Sequence, residues 1–355
     1  MKVTPKERFA LVINNKEADR PIVDLQTVDE IRKGLKYHFQ IDSDDKLLIL
    51  FHVDVRSVPP DYIGSPLKKF PDGSVESVFG YRSKEIITSF GKSFQQVYHP
   101  LAEVNTIDDF RKKYSFPPYE YYDFEGIKEK ANKYSNYVLD AGWMSIWYLY
   151  FYLRGMEQSL IDMLLNKEFF HYVMRSISEY WKGYMKRVLE SAEGSIDYVM
   201  TYEDFGTTEG LLVSLDNIRN DILIYYKDFA QFVYNYGAKF AFHSCGSIYP
   251  VIPDLINLGV SILDPIQVSA KGMEIKFLKE RYGDKLTFRG GIDTTKLLPR
   301  GSREEVKAKV KNTVDVLWKN GGYIFCSSNA INADTPIENV LSMYEVVLGD
   351  KFWKK

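Results

Sequence analysis

Cysteine is scarce in this 355-residue chain: only Cys245 and Cys326 are present. That excludes a disulfide framework and leaves each thiol to be explained individually, with a single bridge between the two still open. Charge of one sign is lacking too, because 46 Lys+Arg face 48 Asp+Glu for a formal net charge of -2. Without a basic field there is nothing to hold a phosphate backbone or an acidic membrane surface, so nucleic acid is not an expected partner. Long apolar runs are missing: the most apolar, Trp143 to Leu153, is about half of what a bilayer-spanning helix needs. Met1 to Glu7 carries charges but no apolar leader core. The expectation is a cytoplasmic protein with no membrane partner. Repeats, low-complexity segments and long linkers are absent as well. What is there, 45% hydrophobic and 26% charged residues, is the make-up of an ordinary folded protein, either one large α/β barrel or two smaller domains.

The order of elements chooses between these. Thr4-Pro5-Lys6-Glu7 has a capping hydroxyl, a proline at the first helical position and a glutamate three residues after the cap, which predicts a helix. Pro21 to Leu25 is a short β-branched run suited to a buried parallel strand. A second strand is expected at Val53 to Val55, within a stretch of about 26–118 that reads as an elaborated N-terminal insertion. Its turn clusters are Pro59-Pro60, Gly64-Ser65-Pro66 and Pro71-Asp72-Gly73-Ser74. Six further strands are expected at Tyr137–Leu139, Ile196–Met200, Lys239–Phe242, Ser261–Leu263, Leu286–Phe288 and Tyr323–Phe325. Helical patterns separate them over Met156–Leu189, Ile218–Tyr236 and Ser302–Trp318. About eight strands alternating with helices predict an α/β fold, a (β/α)8 TIM barrel, with residues 1–355 as a single domain. The phosphate-binding Gly-x-Gly-x-x-Gly turn of the open-sheet alternative is not present.

Barrel enzymes gather their chemistry at the C-terminal strand ends. Polar residues follow the expected strands there: Asp24, Asp140, Glu203 with Asp204, His243 with Cys245, Asp264, Arg289 with Asp293, and Cys326 with Asn329. Two randomly placed cysteines would both land in such loops only about one time in thirty-six. His243-Ser244-Cys245-Gly246 sets an imidazole and a thiol two residues apart beside a glycine that permits a sharp turn, and both side chains suit zinc. The ordinary alternative is a packed histidine beside a buried thiol. Glu203 and Asp204 are either a carboxylate source for the site or strand-end caps. No nucleophile elbow, Walker sequence or His-Glu-x-x-His is found.

These residues resemble the uroporphyrinogen decarboxylase superfamily, particularly its corrinoid-dependent methyltransferase branch, along nearly the whole chain. The similar stretches are Thr4 to Phe9 with Lys16 to Pro21, His99-Pro100-Leu101-Ala102, Phe242 to Ser247, Asp264 to Gln267 with Lys271-Gly272-Met273, Gly290 to Asp293, and Asp334 to Asn339. The arginine-bearing segment by which the decarboxylases hold porphyrinogen carboxylates has no counterpart between Leu25 and Tyr37.

The resemblance implies a barrel with zinc held by His243, Cys245 and a later cysteine. Cys326 is the expected third ligand, although the family's cysteine position aligns with Asn329 and a carboxylate such as Glu203 is the alternative. It further implies Glu203, Asp204 and Asp24 as catalytic residues and Asp264, Gln267, Gly290, Gly291 and Asn329 as cofactor contacts. The implied activity is methyl transfer between a small donor (a methyl ether such as a methoxylated aromatic, or methanol) or a thiol acceptor and the cobalt of a corrinoid (cobalamin). The chain has no Asp-x-His-x-x-Gly segment, so the corrinoid is expected on a partner protein, with a homodimer also open. Two other readings stand beside this one. They are a metal-independent lyase acting on a small acid through Asp24, Asp54 or Arg154, and a non-catalytic corrinoid-binding protein.

Overall fold

The computed structural model describes residues 3–88 and 91–354. Eight parallel strands form the centre: β1 (Ile22–Val23), β2 (Val55–Ser57), β3 (Val138–Met144), β4 (Tyr198–Tyr202), β5 (Lys239–His243), β6 (Ile262–Ile266), β7 (Thr287–Ile292) and β8 (Tyr323–Ser327). Their order, β1-β8-β7-β6-β5-β4-β3-β2, is that of a (β/α)8 barrel. Asp54 closes the gap between β1 and β2. Its backbone N–H donates to Val23 O at 2.8 Å, and its carboxylate accepts from Val23 N at 2.7 Å. Arg8 and Arg20 neutralise that carboxylate. Asp54 is therefore at work on closure at the β1–β2 seam and not at a reaction centre.

Period-two alternation sorts each strand between two cores. Inward residues Ile22, Val55, Val138, Met200, Ala241, Ile262 and Ile324 fill the barrel, plugged by Phe9 and Val12 of helix Pro5–Val12. That helix carries the expected capping box between Thr4 and Glu7. Outward residues such as Val23, Leu139, Val199, Phe240, Leu263, Phe288 and Phe325 pack beneath the helices. Two residues beyond the apolar plug, the strands place Asp24, Ser57, Asp140, Tyr202, His243, Asp264 and Cys326. The upper barrel thus has a mostly polar layer where a further apolar one would only add stability.

The structure departs from expectation mainly in segment boundaries. The expected helix Met156–Leu189 is two, Met156–Leu165 and Lys167–Ser191, parted at Asn166. The elaborated region contains helices Asp29–Phe39 and Asp44–Leu50, followed by an antiparallel sheet whose main strands are Arg82–Thr88 and Gly91–Tyr98. Helix Asp29–Phe39 escapes a sequence reading because only Ile31 and Leu35 are buried, too thin an apolar stripe to stand out. Arg154, a candidate of the lyase reading, is fully buried against Asp162 and the carbonyls of Leu101 and Ala102, where it ties a helix to a loop. Among the described residues, no helix is long and apolar enough to cross a membrane.

Candidate metal centre at the barrel mouth

His243 ends β5, and the chain turns at once through Ser244-Cys245-Gly246. Gly246 has φ +88, and a Cβ there would stand 2.5 Å from the carbonyl carbon of Gly206. Only glycine lets the two loops touch, and that contact sets Cys245 beside Asp204. Asp204 accepts from the Cys245 N–H at 3.0 Å, and Gln267 accepts from the Gly246 N–H at 2.7 Å. Gly246→Ala is expected to destabilise the fold by at least about 2 kcal/mol and to splay the site, because strain and overlap add. Chemical denaturation of the variant checks this, and an unchanged midpoint would show that the loops are free to part.

The ligand atoms of Asp204, His243 and Cys245 lie within 4.8 Å of one another. Cys245 Sγ is 3.4 Å from His243 Nε2, which is 3.9 Å from Asp204 Oδ1. Tetrahedral zinc with sulfur and nitrogen ligands requires separations of about 3.3–3.8 Å, so the donor set and spacing fit that ion. His243 Nδ1 is engaged by Asp264 Oδ2 at 2.5 Å, which turns Nε2 toward the cluster, the usual support for a metal-bound imidazole. Asp264 is held in turn by Arg289, whose other nitrogen binds Asp24 at 2.6 Å. With its amide oxygen turned inward, Gln26 also accepts from Arg289. Burial opposes charge on His243, but the pairing with Asp264 overcomes it and lifts the imidazole to about 10. Burial likewise opposes charge on Asp264, yet Arg289 and His243 hold its carboxyl below the ordinary range. Burial raises the Cys245 thiol.

The structure brings together Asp204, His243 and Cys245, with Asp264, Gln267 and Asp24 behind them. It does not bring Cys326 to the cluster. Cys326 is fully buried in β8, in register with Gly291, and burial pushes its thiol well up. Asn329, three residues on, is the one that reaches the site, with Nδ2 at 3.6 Å from Cys245 Sγ. The acidic or thiol side chain that stands beside His243 and Cys245 is Asp204. Gly290 and Gly291 are buried strand residues. A Cβ on Gly290 would come 3.2 Å from Ile266 N, and one on Gly291 would come 3.1 Å from Leu317 and Thr313, so their smallness serves packing.

Glu203 points into the core, fully buried. Helix Trp147–Arg154 has no capping side chain of its own, and Glu203 supplies the cap, accepting from Ile146 N at 2.7 Å and Tyr148 N at 3.0 Å. Ser145 and Thr201 hydroxyls donate to it as well. Burial pushes its carboxyl up to about 7 against the pull of those donors. Whichever way it turned, the amide NH2 of Glu203→Gln would face a backbone N–H, of Ile146 or of Tyr148, that only donates. A loss of about 1–3 kcal/mol in urea unfolding is expected, with the cluster's metal uptake unchanged. Weakened uptake at unchanged stability would return Glu203 to the reaction centre.

Sequence reasoning passed over Arg56 and Gln26, whose only signal is a charged or polar residue at the end of an apolar strand. Tyr202 covers His243 at a ring separation of 4.8 Å and Trp143 lies 5.5 Å beyond it, giving the mouth an aromatic wall.

A parallel eight-stranded barrel with an Asp-His-Cys cluster at its C-terminal mouth defines the class: an α/β-barrel protein whose strand-end side chains could hold a metal ion. Residues 95–349 match the family described as Uroporphyrinogen decarboxylase (URO-D), and the chain belongs to that family. It is 24% identical over 260 residues to a uroporphyrinogen decarboxylase from a Nitratiruptor species, covering 69% of this chain and 70% of that one. A methyltransferase from Methanosarcina mazei shares the fold with a TM-score of 0.65 at 15% identity, over 97% of this chain and 98% of that one.

Proposed function

We propose that the protein is a zinc-dependent methyltransferase that moves a methyl group between a small donor or thiol acceptor and the cobalt of a corrinoid carried by a partner protein. The observation that carries this reading is the Asp204-His243-Cys245 cluster, with its imidazole braced by Asp264 at the barrel mouth. The fold shared with a methyltransferase agrees with it. Asp204, His243 and Cys245 would hold the ion. When bound, zinc supplies a Lewis acid that stabilises negative charge on the oxygen or sulfur from which, or to which, the methyl moves. Asp264 fixes which imidazole nitrogen faces the ion. Tyr202 and Trp143 exclude water from one side and offer apolar surface to a methyl donor. A corrinoid protein would approach from the side of Asp204 and Trp143, which are partly exposed.

The test is a methyl-transfer assay with a cobalt(I) corrinoid protein and a panel of methyl ethers and methanol, together with the reverse reaction from methyl-cobalt to thiols. Zinc-dependent turnover with one of these supports the reading. Zinc-loaded protein that turns over none of them counts against it. A metal-free decarboxylase acting on a small acid is the second reading, favoured by Asp140, which burial raises to about 6 inside the mouth. Carbon dioxide release by chelator-treated protein would favour it.

A further inference from the structure

Beside the cluster lies a cavity of 370 Å³, a volume that suits a small molecule. It shares two walls with the metal site. Tyr202 covers His243, and Arg289 binds Asp264. The lining also includes Arg56, the middle residue of β2, three strands from β5 around the barrel.

Arg56 is an unusual residue to find there. It is 4% exposed, lies 4.0 Å over the ring of Tyr137, and donates from Nη1 to the carbonyls of Val53 and Val55. Those contacts orient the guanidinium but do not neutralise it. Among the described residues no carboxylate pairs with it, and its Nε–H is buried without a partner. The cavity's acids have other partners. Asp24 binds Arg289, Asp45 binds Lys133 and Tyr134, and Asp140 accepts from Ser57 and the Gly142 N–H. Buried guanidinium groups are ordinarily matched by an anion, because desolvation without a counter-charge is costly. Nε of Arg32 and of Arg289, both on the same cavity, are likewise buried and unpartnered. Three arginines, each with an unpartnered Nε–H, thus border one small chamber. Burial lowers the pKa of Arg56, as expected for a cation short of counter-charge.

We propose that Arg56 anchors the carboxylate of a small substrate in this cavity, so that the substrate's other end lies past Tyr202 toward the Asp204-His243-Cys245 cluster. With Nη1 given to two carbonyls and Nε buried, Nη2 is the nitrogen left to donate to a carboxylate in a charge-assisted bond, and Trp143, Tyr202 and Tyr134 on the walls suit an aryl body. The anion site stands on Arg56 and the cavity; that the far end is a methyl donor rests on the methyl-transfer reading above.

The experiment is calorimetric titration of chelator-treated protein, so that no metal competes for the carboxylate. The probes are acetate, benzoate and its neutral isostere benzamide. Benzoate is expected to bind at least tenfold more tightly than benzamide. Arg56→Gln is expected to lose at least tenfold in benzoate affinity, with Arg56→Lys in between. Equal affinities for benzoate and benzamide, no measurable binding of either carboxylate, or undiminished benzoate binding by Arg56→Gln would each overturn the assignment. If Arg56→Gln does not fold, the benzoate-to-benzamide ratio in the parent and in Arg56→Lys decides. Zinc-dependent methyl transfer without any Arg56-dependent carboxylate binding overturns this inference alone. Arg56-dependent binding in a protein that transfers methyl from no donor supports it and overturns the reaction reading alone.

Discussion

His243→Ala and Cys245→Ala will each bind zinc at least about a hundredfold more weakly than the parent, whereas Cys326→Ala will bind it normally. Each of the first two removes one of the three side chains proposed to hold the ion, while Cys326 lies buried in β8, away from the cluster. Asp204→Ala should join the weak group, which sets this site apart from one completed by a later cysteine. The pH dependence follows from the protons that must leave. Without metal, His243 holds its proton up to about 10, and burial keeps the Cys245 thiol protonated at neutral pH. Uptake at pH 7 therefore releases two protons, and affinity should rise by about a hundredfold per pH unit until one of them is already lost. Elemental analysis of anaerobically purified protein and competition with a chromophoric chelator measure both effects. Full zinc retention by His243→Ala, or by Asp204→Ala, would place the ion elsewhere.

Arg289→Met will be the most destabilising substitution at the barrel mouth, by about 3–5 kcal/mol, because it leaves two buried carboxylates without their cation. Asp24 and Asp264 both lean on that one guanidinium, which is 3% exposed. The sign of the pH effect is fixed by Asp264, whose folded-state pKa is depressed. Its contribution is complete above the unfolded value of about 4 and is lost as pH falls through the folded one. The gap between parent and variant should accordingly be widest near neutrality and narrow in acid. Urea unfolding at pH 7 and at about pH 2 tests this, because the loss falls below the unfolded value of about 4. A gap that stays constant would mean that Arg289 acts through packing and not through charge. His243, no longer sharing Asp264 with a cation, should remain paired, so the folded fraction of the variant is expected to keep binding zinc.

The barrel was legible because its strands are short β-branched or aromatic runs that stand out in a single sequence, as at Lys239–His243 and Tyr323–Ser327. His243 and Cys245 were legible for a different reason: their spacing is local. The sequence did not show that Asp204 rather than Cys326 would stand beside His243 and Cys245, because that neighbour is chosen by which loops touch. That choice depends on Gly206 meeting Gly246, a contact between segments about forty residues apart that leaves no periodic trace. Glu203 misled in the opposite sense. An acidic residue at a strand end looks chemical, and only the orphan N–H groups of helix Trp147–Arg154 show what it is for. Arg56 was invisible since an arginine inside an apolar run signals nothing until its missing counter-ion is seen.

The seam that Asp54 closes has a bearing on how the chain is made. β1 lies between Asp54 and β8, pairing Ile22 with Ile324. Closing a loop of about 300 residues costs about 5 kcal/mol of chain entropy. On a ribosome, the apolar edges of β1 and β2 therefore wait exposed until β8 has emerged. The hydroxyl of Tyr344, reaching back to the Asp24 carbonyl at 2.6 Å, arrives later still than β8. Slow synthesis or truncation near that tyrosine would leave a half-built barrel with an open strand edge, the form most exposed to aggregation and to proteases.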